Sequence, residues 1–335
     1  MVLVTGATGL VGSHLVILLL EQNENVRAIY RNPASLQKTK ALFDYYHKSA
    51  LFDSIDWVLT DITDVFALEL AFDKIQQVYH CAACISFDPK DEKLLRKTNI
   101  EGTANIVNFC LAHHIKKLCH VSSIAALGDL KEYETTVSET TEWNPEVSHS
   151  DYAISKYGAE MELWRGQQEG LNSVILNPGI ILGPGFWNSG SGLLFKQMAN
   201  GFPFYTKGTT GIVSVNDVVK SMYFLMNSSI SSERFIIVSE TVSYEKLLET
   251  IRNGLQLNTK MRYAQPWLTE LYWRWDVVTA FVFGKKRKLS RILAHSLHQT
   301  TVYSNEKRKG AFPFEFEYGL EYVLKLGSAY PKNRT

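Results

Sequence analysis

Hydrophobic residues form short apolar runs along the chain, and these runs alternate with longer segments whose hydrophobic positions have helical spacing. Short apolar runs are typical of strands that are buried on both faces of a parallel sheet. They predict strands at residues 2–4, 26–30, 57–59, 78–80, 118–121, 174–176 and 235–238. The other segments predict helices at residues 34–46, 65–74, 93–112, 152–169, 193–200 and 217–226. This alternation predicts an α/β protein with a doubly wound parallel sheet.

Three evenly spaced glycines, Gly6, Gly9 and Gly12, follow the first predicted strand in the stretch TGATGLVGSHL. Gly6 permits a tight turn, Gly9 lets the backbone approach a pyrophosphate, and Gly12 lets the following helix lie against the strand. The helix N-terminus adds oriented N–H groups and positive potential. The spacing GxxGxxG alone is a weak signal and a flexible loop is the alternative, but the strand–turn–helix context predicts dinucleotide binding.

The alternation of strands and helices fades beyond about Ser239. We therefore expect a Rossmann-type doubly wound sheet with a smaller, mostly C-terminal lobe that binds the substrate. The predicted dinucleotide-binding domain comprises residues 1–178 and 212–240. The predicted substrate-binding lobe comprises residues 179–211 and 241–335.

Composition is that of an ordinary globular protein: 335 residues, 45% hydrophobic, with a formal net charge of +1. A charge this close to zero does not favour nucleic acid as a partner. Because the first predicted strand begins at Val2, we expect no signal peptide and a cytoplasmic location. Cys81 and Cys84 have the CxxC spacing of a redox pair or half a zinc site. A second ligand pair is not evident, so we expect no bound metal and a reduced, structural cysteine pair.

Residues 267–283 are the most apolar and aromatic stretch of the chain, interrupted by Glu270, Arg274 and Asp276. The stretch is short for a membrane span. The basic run at residues 285–288 follows it, which makes a helix lying on a membrane surface one interpretation. We favour the other interpretation, a helix that lines a hydrophobic substrate pocket.

The end of the second strand of a dinucleotide site faces the adenosine ribose, where a carboxylate favours NAD and a cation favours the 2′-phosphate of NADP. Tyr30 occupies the position expected for the carboxylate, and Arg31 follows it. A guanidinium binds phosphate through two hydrogen bonds. The sequence therefore predicts NADP(H) as the preferred cofactor and NAD(H) as the second choice, unless Arg31 is an ordinary surface residue. Asp61 and Ile62, after the third strand, are predicted to meet the adenine.

Tyr152 and Lys156 are one turn apart in a predicted helix, so the phenol and the ammonium share one face. A lysine charge about 4 Å from a phenol favours the phenolate by about 4 kcal/mol at an effective dielectric near 20. That energy equals about three pKa units and predicts a Tyr152 pKa near 7, where acid and base roles are both open. Ser123, at the carboxyl edge of the sheet, is predicted to bond a substrate oxygen. Tyr303 and Lys307 have the same spacing without such a strand, so we interpret that pair as structural.

These motifs together resemble the extended short-chain dehydrogenase/reductases, which include sugar-nucleotide epimerases, 3β-hydroxysteroid dehydrogenases and dihydroflavonol reductases. The resemblance covers roughly the first 220 residues well and the remainder loosely. It is carried by Thr5-Gly6-xx-Gly9-xx-Gly12, Asp61, His80-x-Ala82-Ala83, Asn99-xx-Gly102-Thr103, Ser122-Ser123, Tyr152-xxx-Lys156, Asn177-Pro178-Gly179, Gly183-Pro184-Gly185 and Val215-x-Asp217-Val218.

The resemblance implies that Tyr152 exchanges a proton with the substrate oxygen, that Lys156 holds the nicotinamide ribose, and that Ser123 orients the carbonyl. Asn99 either positions a backbone turn or water near Lys156 or is simply structural. Pro178 and the residues after it would flank the nicotinamide. The implied cofactor contacts are Gly6, Thr8, Gly9, Leu10, Val11, Gly12, Arg31, Asp61, Ile62, Ala82, Ala83, Asn99, Val121, Tyr152, Lys156, Pro178, Ile180 and Ile181.

Three functions are compatible with the sequence. The first, which we favour, is a ketone or aldehyde oxidoreductase of dihydroflavonol-reductase or hydroxysteroid-dehydrogenase type. The second is a nucleotide-sugar epimerase with tightly bound NAD, although the segment 183–215 offers a diphosphate only Lys196 and Lys207. The third is a non-catalytic NAD(P)-binding redox sensor, which has no physical reason to keep a charged catalytic set.

The substrate is expected to be a small apolar or aromatic carbonyl or alcohol compound, and relatives of this type are often homodimers. The residues proposed for the pocket wall are Trp187, Phe202, Phe204, Trp267, Tyr272, Trp273 and Trp275.

Overall fold

A seven-stranded parallel sheet forms the centre of the computed structural model, which describes residues 1–284, 287 and 289–331. The basic run at 285–288 lies outside the described residues, except for Arg287. The strands are β1 (Val2–Thr5), β2 (Val26–Tyr30), β3 (Asp56–Leu59), β4 (Gln77–His80), β5 (Lys117–Val121), β6 (Thr136–Val137), β7 (Ser173–Pro178), β8 (Ile180–Leu182), β9 (Phe204–Tyr205), β10 (Thr209–Ser214), β11 (Glu233–Ile237), β12 (Glu240–Ser243), β13 (Arg262–Tyr263) and β14 (Val302–Tyr303).

Helices cover both faces of the sheet and fill the C-terminal part of the chain. They are α1 (Leu10–Glu21), α2 (Pro33–Tyr45), α3 (Ser49–Phe52), α4 (Val65–Phe72), α5 (Glu92–Leu95), α6 (Gly102–Ala112), α7 (Asp151–Gln168), α8 (Gly192–Ala199), α9 (Val215–Met226), α10 (Tyr244–Gly254), α11 (Pro266–Phe283), α12 (Arg291–Ser296), α13 (Glu306–Ala311) and α14 (Gly319–Ser328).

The strand order in the central sheet is β11-β7-β5-β4-β1-β2-β3, and every neighbouring pair is parallel. The chain leaves β1 toward β2 and β3, and then crosses to β4 on the other side of β1. Such a reversal opens a crevice at the carboxyl ends of the strands, where sheets of this type bind ligands. The Rossmann-type fold predicted from the alternating pattern is confirmed.

Both faces of the sheet are buried, which explains why its strands are continuously apolar and do not alternate between apolar and polar residues. All side chains of β1, β5 and β7 are buried, and two hydrophobic clusters pack on opposite faces of the sheet. One cluster contains Leu15 and Val218, from α1 and α9. The other contains Ile106 and Leu163, from α6 and α7.

A smaller sheet, β12-β10-β8, lies at the start of the C-terminal part. Leu247 of α10, Val323 of α14 and Phe195 of α8 are buried together with Ile212 of β10 in a third cluster. This core is separate from those of the main sheet, but the limits of the two predicted lobes remain a prediction.

The predicted helix at 93–112 is wrong as a single element. The structure divides it into α5, a wider π-helical turn at Arg96–Glu101, and α6. Turns of this kind occur mostly inside α-helices and often at functional sites. Asn99 lies in this turn with its side chain buried.

None of the described helices is both long enough and apolar enough to cross a bilayer.

Candidate active site

The glycine turn between β1 and α1 is packed too closely for side chains. Gly6 has a φ of 65°, and a Cβ on it would lie 2.6 Å from the amide nitrogen of Ala82. A Cβ on Gly12 would lie 2.2 Å from the Gly6 carbonyl oxygen. Gly9 is exposed, and its amide donates to that same oxygen at 3.0 Å. The turn therefore brings bare backbone to the crevice above β1 and β4.

The start of α1 fits an anionic ligand. Gly9 is the N-cap residue and has no side chain to accept the first N–H groups of the helix. The first turn of α1, all of whose residues the structure describes, contains no acidic residue. The first N–H groups of a helix need an acceptor, and the helix dipole favours a negative charge there. A pyrophosphate satisfies both requirements, so these residues fit the dinucleotide expected from the sequence.

We expect Gly12→Ala to weaken cofactor binding and to destabilise the fold by about 1–3 kcal/mol, because its methyl group collides with backbone rather than with a mobile side chain. Thermal unfolding and NADPH titration measure the two effects. Gly310→Ala is the matched control, since a Cβ at Gly310 meets nothing within 4 Å. Wild-type melting and NADPH affinity in Gly12→Ala would contradict this account of the turn.

Buried polar side chains connect the ends of β1 and β4 to α6. The Thr5 hydroxyl lies 2.7 Å from Nδ1 of His80, and Nε2 of His80 lies 3.0 Å from the Thr103 hydroxyl. Burial lowers the pKa of His80 to about 3, so the imidazole is neutral. Thr5 Oγ1 also accepts the backbone N–H of Ala82 at 3.1 Å. These bonds fix the backbone that faces the glycine turn.

Asn99 clamps the next segment to α7. Its Oδ1 accepts the backbone N–H of Cys84 at 2.7 Å, and its Nδ2 donates to the Cys84 carbonyl and to Ser155 Oγ, both at 2.9 Å. These bonds fix the backbone at Cys84, and the choice between the two roles of Asn99 stays a prediction. Cys81 and Cys84 are free thiols, and burial raises the pKa of Cys81 to about 12. No group of metal-ligating side chains occurs among the described residues.

Arg31 extends from the end of β2 into solvent. Its Nη1 lies 3.5 Å from Oδ2 of Asp61, and both side chains are substantially exposed. Asp61 Oδ1 accepts the backbone N–H and the hydroxyl of Thr63, each at 2.8 Å. Burial raises the pKa of Asp61, but the contacts with Thr63 and Arg31 lower it further and leave the pKa below its usual value. Ile62 is buried, with its side chain against the position of Gly102.

Tyr152 and Ser123 meet at the carboxyl end of β5. Tyr152 lies in the first turn of α7, after the N-cap Ser150, and its hydroxyl is hydrogen-bonded to Ser123. Lys156, one turn along α7, is buried, and its Nζ donates to the Val121 carbonyl at 2.9 Å. The structure thus brings together the three residues that the sequence predicted to be catalytic.

The predicted pKa near 7 for Tyr152 is wrong for this arrangement. Burial raises the pKa of the Tyr152 phenol above its ordinary value, and the hydrogen bond from Ser123 opposes that rise only in part. The prediction counted the attraction of the lysine charge and left out the cost of desolvating a phenolate. In the structure the Lys156 ammonium donates to a backbone carbonyl instead. Tyr152 is therefore a protonated acid at neutral pH.

Lys156 is the group expected to titrate near neutrality. Burial lowers its pKa to about 8, although the Glu160 carboxylate opposes the shift. The ammonium predominates below that pH and is lost above it. If turnover needs the cation, kcat/KM falls as pH rises through about 8. A pH profile checks this, and Lys156→Arg, which stays charged, should move the fall to higher pH. The same alkaline fall in both proteins would assign it to another group.

Sequence reasoning missed a buried support behind Ser123. Asn177 Nδ2 donates to the Ser123 carbonyl at 3.0 Å and to Glu160 Oε1 at 2.5 Å. The other oxygen of Glu160 pairs with Arg234 at 3.2 Å. Burial raises the pKa of Glu160 despite these partners. Glu160 follows Lys156 by one helical turn, and this spacing of a carboxylate was the available signal.

A cavity of about 300 Å³ adjoins Tyr152 and is lined in part by residues of α11 and α12. Its lining includes Phe87, Trp273, Arg287, Arg291 and Ile292. The Phe87 ring lies edge-on to Tyr152, with 5.8 Å between the ring centres. Trp273 thus brings α11 to this cavity, and the interpretation of residues 267–283 as a helix that lines a substrate pocket stays a prediction.

Of the residues predicted for the pocket wall, Trp273 lines the cavity beside Tyr152, and the other six do not. Trp187 is buried in the core, where its ring packs against Phe195 and Tyr330. Such a tryptophan cannot be distinguished from a pocket residue by sequence alone. The remaining predicted wall residues are largely exposed side chains: Phe202, Phe204, Trp267, Tyr272 and Trp275.

Tyr303 and Lys307 lie in different elements, β14 and α13, and are not on one helix. Lys307 Nζ pairs with Glu233 and donates to the Arg234 carbonyl at 2.8 Å. Burial raises the pKa of Tyr303 to about 12. These contacts fit the interpretation of the two residues as structural, which stays a prediction.

The sheet, the glycine turn and the Ser123–Tyr152–Lys156 set define the class of NAD(P)-dependent enzymes built on the extended short-chain dehydrogenase/reductase fold. The chain belongs to the NAD dependent epimerase/dehydratase family, which residues 2–237 match.

Two relatives and one solved structure illustrate the range of this family. A Synechocystis protein provisionally named dihydroflavonol 4-reductase is 30% identical over 73% of this chain and 69% of its own length. Cinnamoyl-CoA reductase CAD2 of Medicago truncatula is 28% identical over 80% of this chain and 85% of its own. The UDP-glucose 4-epimerase of Thermotoga maritima superposes with a TM-score of 0.75 over 98% of this chain and 97% of its own, at 20% identity, which shows the shared fold alone.

Proposed function

We propose that the protein is an NADP(H)-dependent oxidoreductase that interconverts a ketone or aldehyde and the corresponding alcohol, with Tyr152 as the acid and base. One observation carries the proposal: a protonated Tyr152, hydrogen-bonded to Ser123, faces a cavity at the carboxyl edge of the sheet. A phenol in that position can give a proton to a substrate oxygen at neutral pH.

During reduction, the hydroxyls of Ser123 and Tyr152 bind the carbonyl oxygen and hold it in place. The hydride for the carbonyl carbon would come from a nicotinamide cofactor bound at the glycine turn. Tyr152 gives its proton to the oxygen, and the phenolate that remains is stabilised by the Ser123 hydroxyl. Asn177 and Glu160 keep the Ser123 backbone in position.

Arg31 supports NADP(H) as the preferred cofactor. An exposed guanidinium at the end of β2 is free to pivot from Asp61, 3.5 Å away, to a phosphate dianion on the adenosine ribose. Relatives named as reductases are compatible with this preference. NAD(H) is the second choice, since the glycine turn binds the part that both cofactors share.

The cavity supports an apolar or aromatic substrate. Phe87, Trp273 and Ile292 supply flat or branched apolar surface, and the guanidinium groups of Arg287 and Arg291 can donate to substrate oxygens. We assign Trp273, Arg287, Arg291 and Ile292 to a substrate-binding lobe made of residues 179–211 and 241–335, whereas Phe87 comes from the dinucleotide domain. The dinucleotide domain then comprises 1–178 and 212–240. A cytoplasmic homodimer remains the expectation for the assembly.

A nucleotide-sugar epimerase is the second candidate, and the same two arginines favour it. The sequence offered a diphosphate only lysines between 183 and 215, but Arg287 and Arg291 line the cavity next to Tyr152. Two guanidinium groups suit a diphosphate. The choice between the reductase and the epimerase therefore depends on whether the cofactor is consumed and exchanged. An epimerase keeps its NAD bound and consumes none.

Nucleotide released from the denatured protein, together with a carbonyl panel, separates these functions. We expect little bound nucleotide, and NADPH consumption with steroid, flavonoid or simple aromatic carbonyls. One alcohol should form for each NADPH. A full complement of bound NAD with conversion of a UDP-sugar and no net NADPH use would establish the epimerase. Turnover of neither class would leave the redox sensor.

A further inference from the structure

Helix α11 has two opposite faces with different environments. Trp273, Asp276 and Ala280 lie within a narrow sector of the helix and face the protein. At 100° per residue, Trp267, Leu271, Trp275, Val278 and Val282 lie on the opposite side. That second row is apolar throughout and exposed. We call the row, together with Phe281 beside it, the α11 outer face.

The α11 outer face exposes far more apolar surface than isolated surface residues usually do. Trp267 is 60% exposed, Trp275 65% and Phe281 88%. Exposed large apolar residues that are scattered singly need no explanation, whereas a contiguous patch of this kind marks an interaction surface. Trp, Phe and Leu on one side of a helix are the side chains that enter the boundary between lipid head groups and acyl chains.

An anionic membrane surface and a second copy of the chain could each cover the α11 outer face, and charge distinguishes between them. The basic run at 285–288 follows α11 in the sequence. Its three lysines lie outside the described residues, and only their positive charge matters for the comparison of the two occupants. The acids of α11 are already engaged: Glu270 pairs with Arg274 at 2.7 Å, and buried Asp276 accepts the Leu289 N–H at 3.1 Å. A second copy of the chain would therefore bring further cations and no free carboxylate from α11. Lysine is also depleted in protein interfaces.

We propose that the α11 outer face adsorbs to an anionic membrane surface, and that Lys285, Lys286 and Lys288, which follow α11 in the sequence, add positive charge that favours such a surface. The helix lies in the head-group region and does not cross the bilayer, in agreement with the absence of a spanning helix among those described. Clusters of basic residues beside such a helix bind anionic lipid. On the function proposed above, Trp273 on the inner side of α11 would give a bilayer-dissolved substrate a short path to the cavity.

Flotation of the full chain with lipid vesicles tests this proposal. The protein should float with vesicles of phosphatidylcholine and phosphatidylserine, and much less with phosphatidylcholine alone. Replacement of Lys285, Lys286 or Lys288 by alanine should weaken binding about fivefold for each cation removed. The double variant Trp275→Glu/Phe281→Glu should abolish flotation without loss of thermal stability, because both side chains are exposed.

The matched control is Phe66→Glu/Leu70→Glu on α4, where the side chains are 92% and 74% exposed. This control should float like the wild type. Failure of the wild type to float would overturn the proposal, and so would equal loss in both double variants. The mass of the protein in solution tests whether a second copy of the chain covers the α11 outer face instead. If the wild type is a dimer that does not bind vesicles, and only Trp275→Glu/Phe281→Glu converts it to a monomer, the proposal is overturned in favour of the second copy. None of these readouts depends on NADPH turnover.

Discussion

Replacing Tyr152 with phenylalanine should lower kcat/KM for carbonyl reduction by about 10²–10⁴-fold. The variant keeps the ring and its packing against Phe87, but it loses the proton and one of the two hydroxyls at the carboxyl end of β5. The glycine turn is untouched, so the Kd for NADPH should stay close to that of the wild type. Initial rates of NADPH consumption and a fluorescence titration measure the two quantities.

The chain provides its own control in Tyr303, which has a lysine at the same spacing. Tyr303→Phe removes a phenol hydroxyl from a strand that belongs to neither the glycine turn nor the cavity beside Tyr152. Its activity should equal that of the wild type. Substantial activity in Tyr152→Phe, or equal losses in both variants, would show that Tyr152 is not the acid.

Replacing Arg31 with alanine should raise the Kd for NADPH by about tenfold or more and leave the Kd for NADH unchanged. A hydrogen bond to a charged group contributes about 1.5–3 kcal/mol, and an exposed site such as this one falls at the lower end. The loss is confined to NADPH because only that cofactor carries the 2′-phosphate. Paired titrations with the two reduced cofactors measure the effect.

Lys40→Ala is the control for the Arg31 variant, since it removes an exposed positive charge from the following helix, away from the end of β2. Its NADPH affinity should change little, and less at high salt, where exposed charges are screened. If Arg31→Ala weakened both cofactors equally, or neither, the cofactor preference would have to come from another residue.

The central sheet could be predicted from sequence because each strand is buried on both faces and therefore consists of consecutive apolar residues. Residues 26–30 were predicted with the bounds that the structure gives β2. The helix at 93–112 was not predicted correctly, because a π-helical turn leaves no periodic signature in a single sequence. Two-residue strands such as β9 and β14 depend on distant partners and have no local pattern of their own.

The proposed catalytic residues could be brought together from their spacing in the sequence, but their electrostatics could not be predicted. The spacing of Tyr152 and Lys156 fixes their positions in one helix, whereas the pKa of Tyr152 depends on burial that only tertiary structure creates. Arg234, which supports Glu160 from a distant strand, could not be found for the same reason. Aromatic composition likewise does not separate core Trp187 from cavity-lining Trp273.

Transfer of deuterium tests the central claim most directly. NADPH carrying deuterium at the transferable position of nicotinamide C4 is incubated with the protein and an accepted ketone, and the product is examined by mass spectrometry and NMR. The account predicts one deuterium at the carbinol carbon of each alcohol formed, with the hydroxyl proton drawn from solvent through Tyr152. An alcohol without label at that carbon, or a label that stays in the cofactor while a sugar is epimerised, would contradict it.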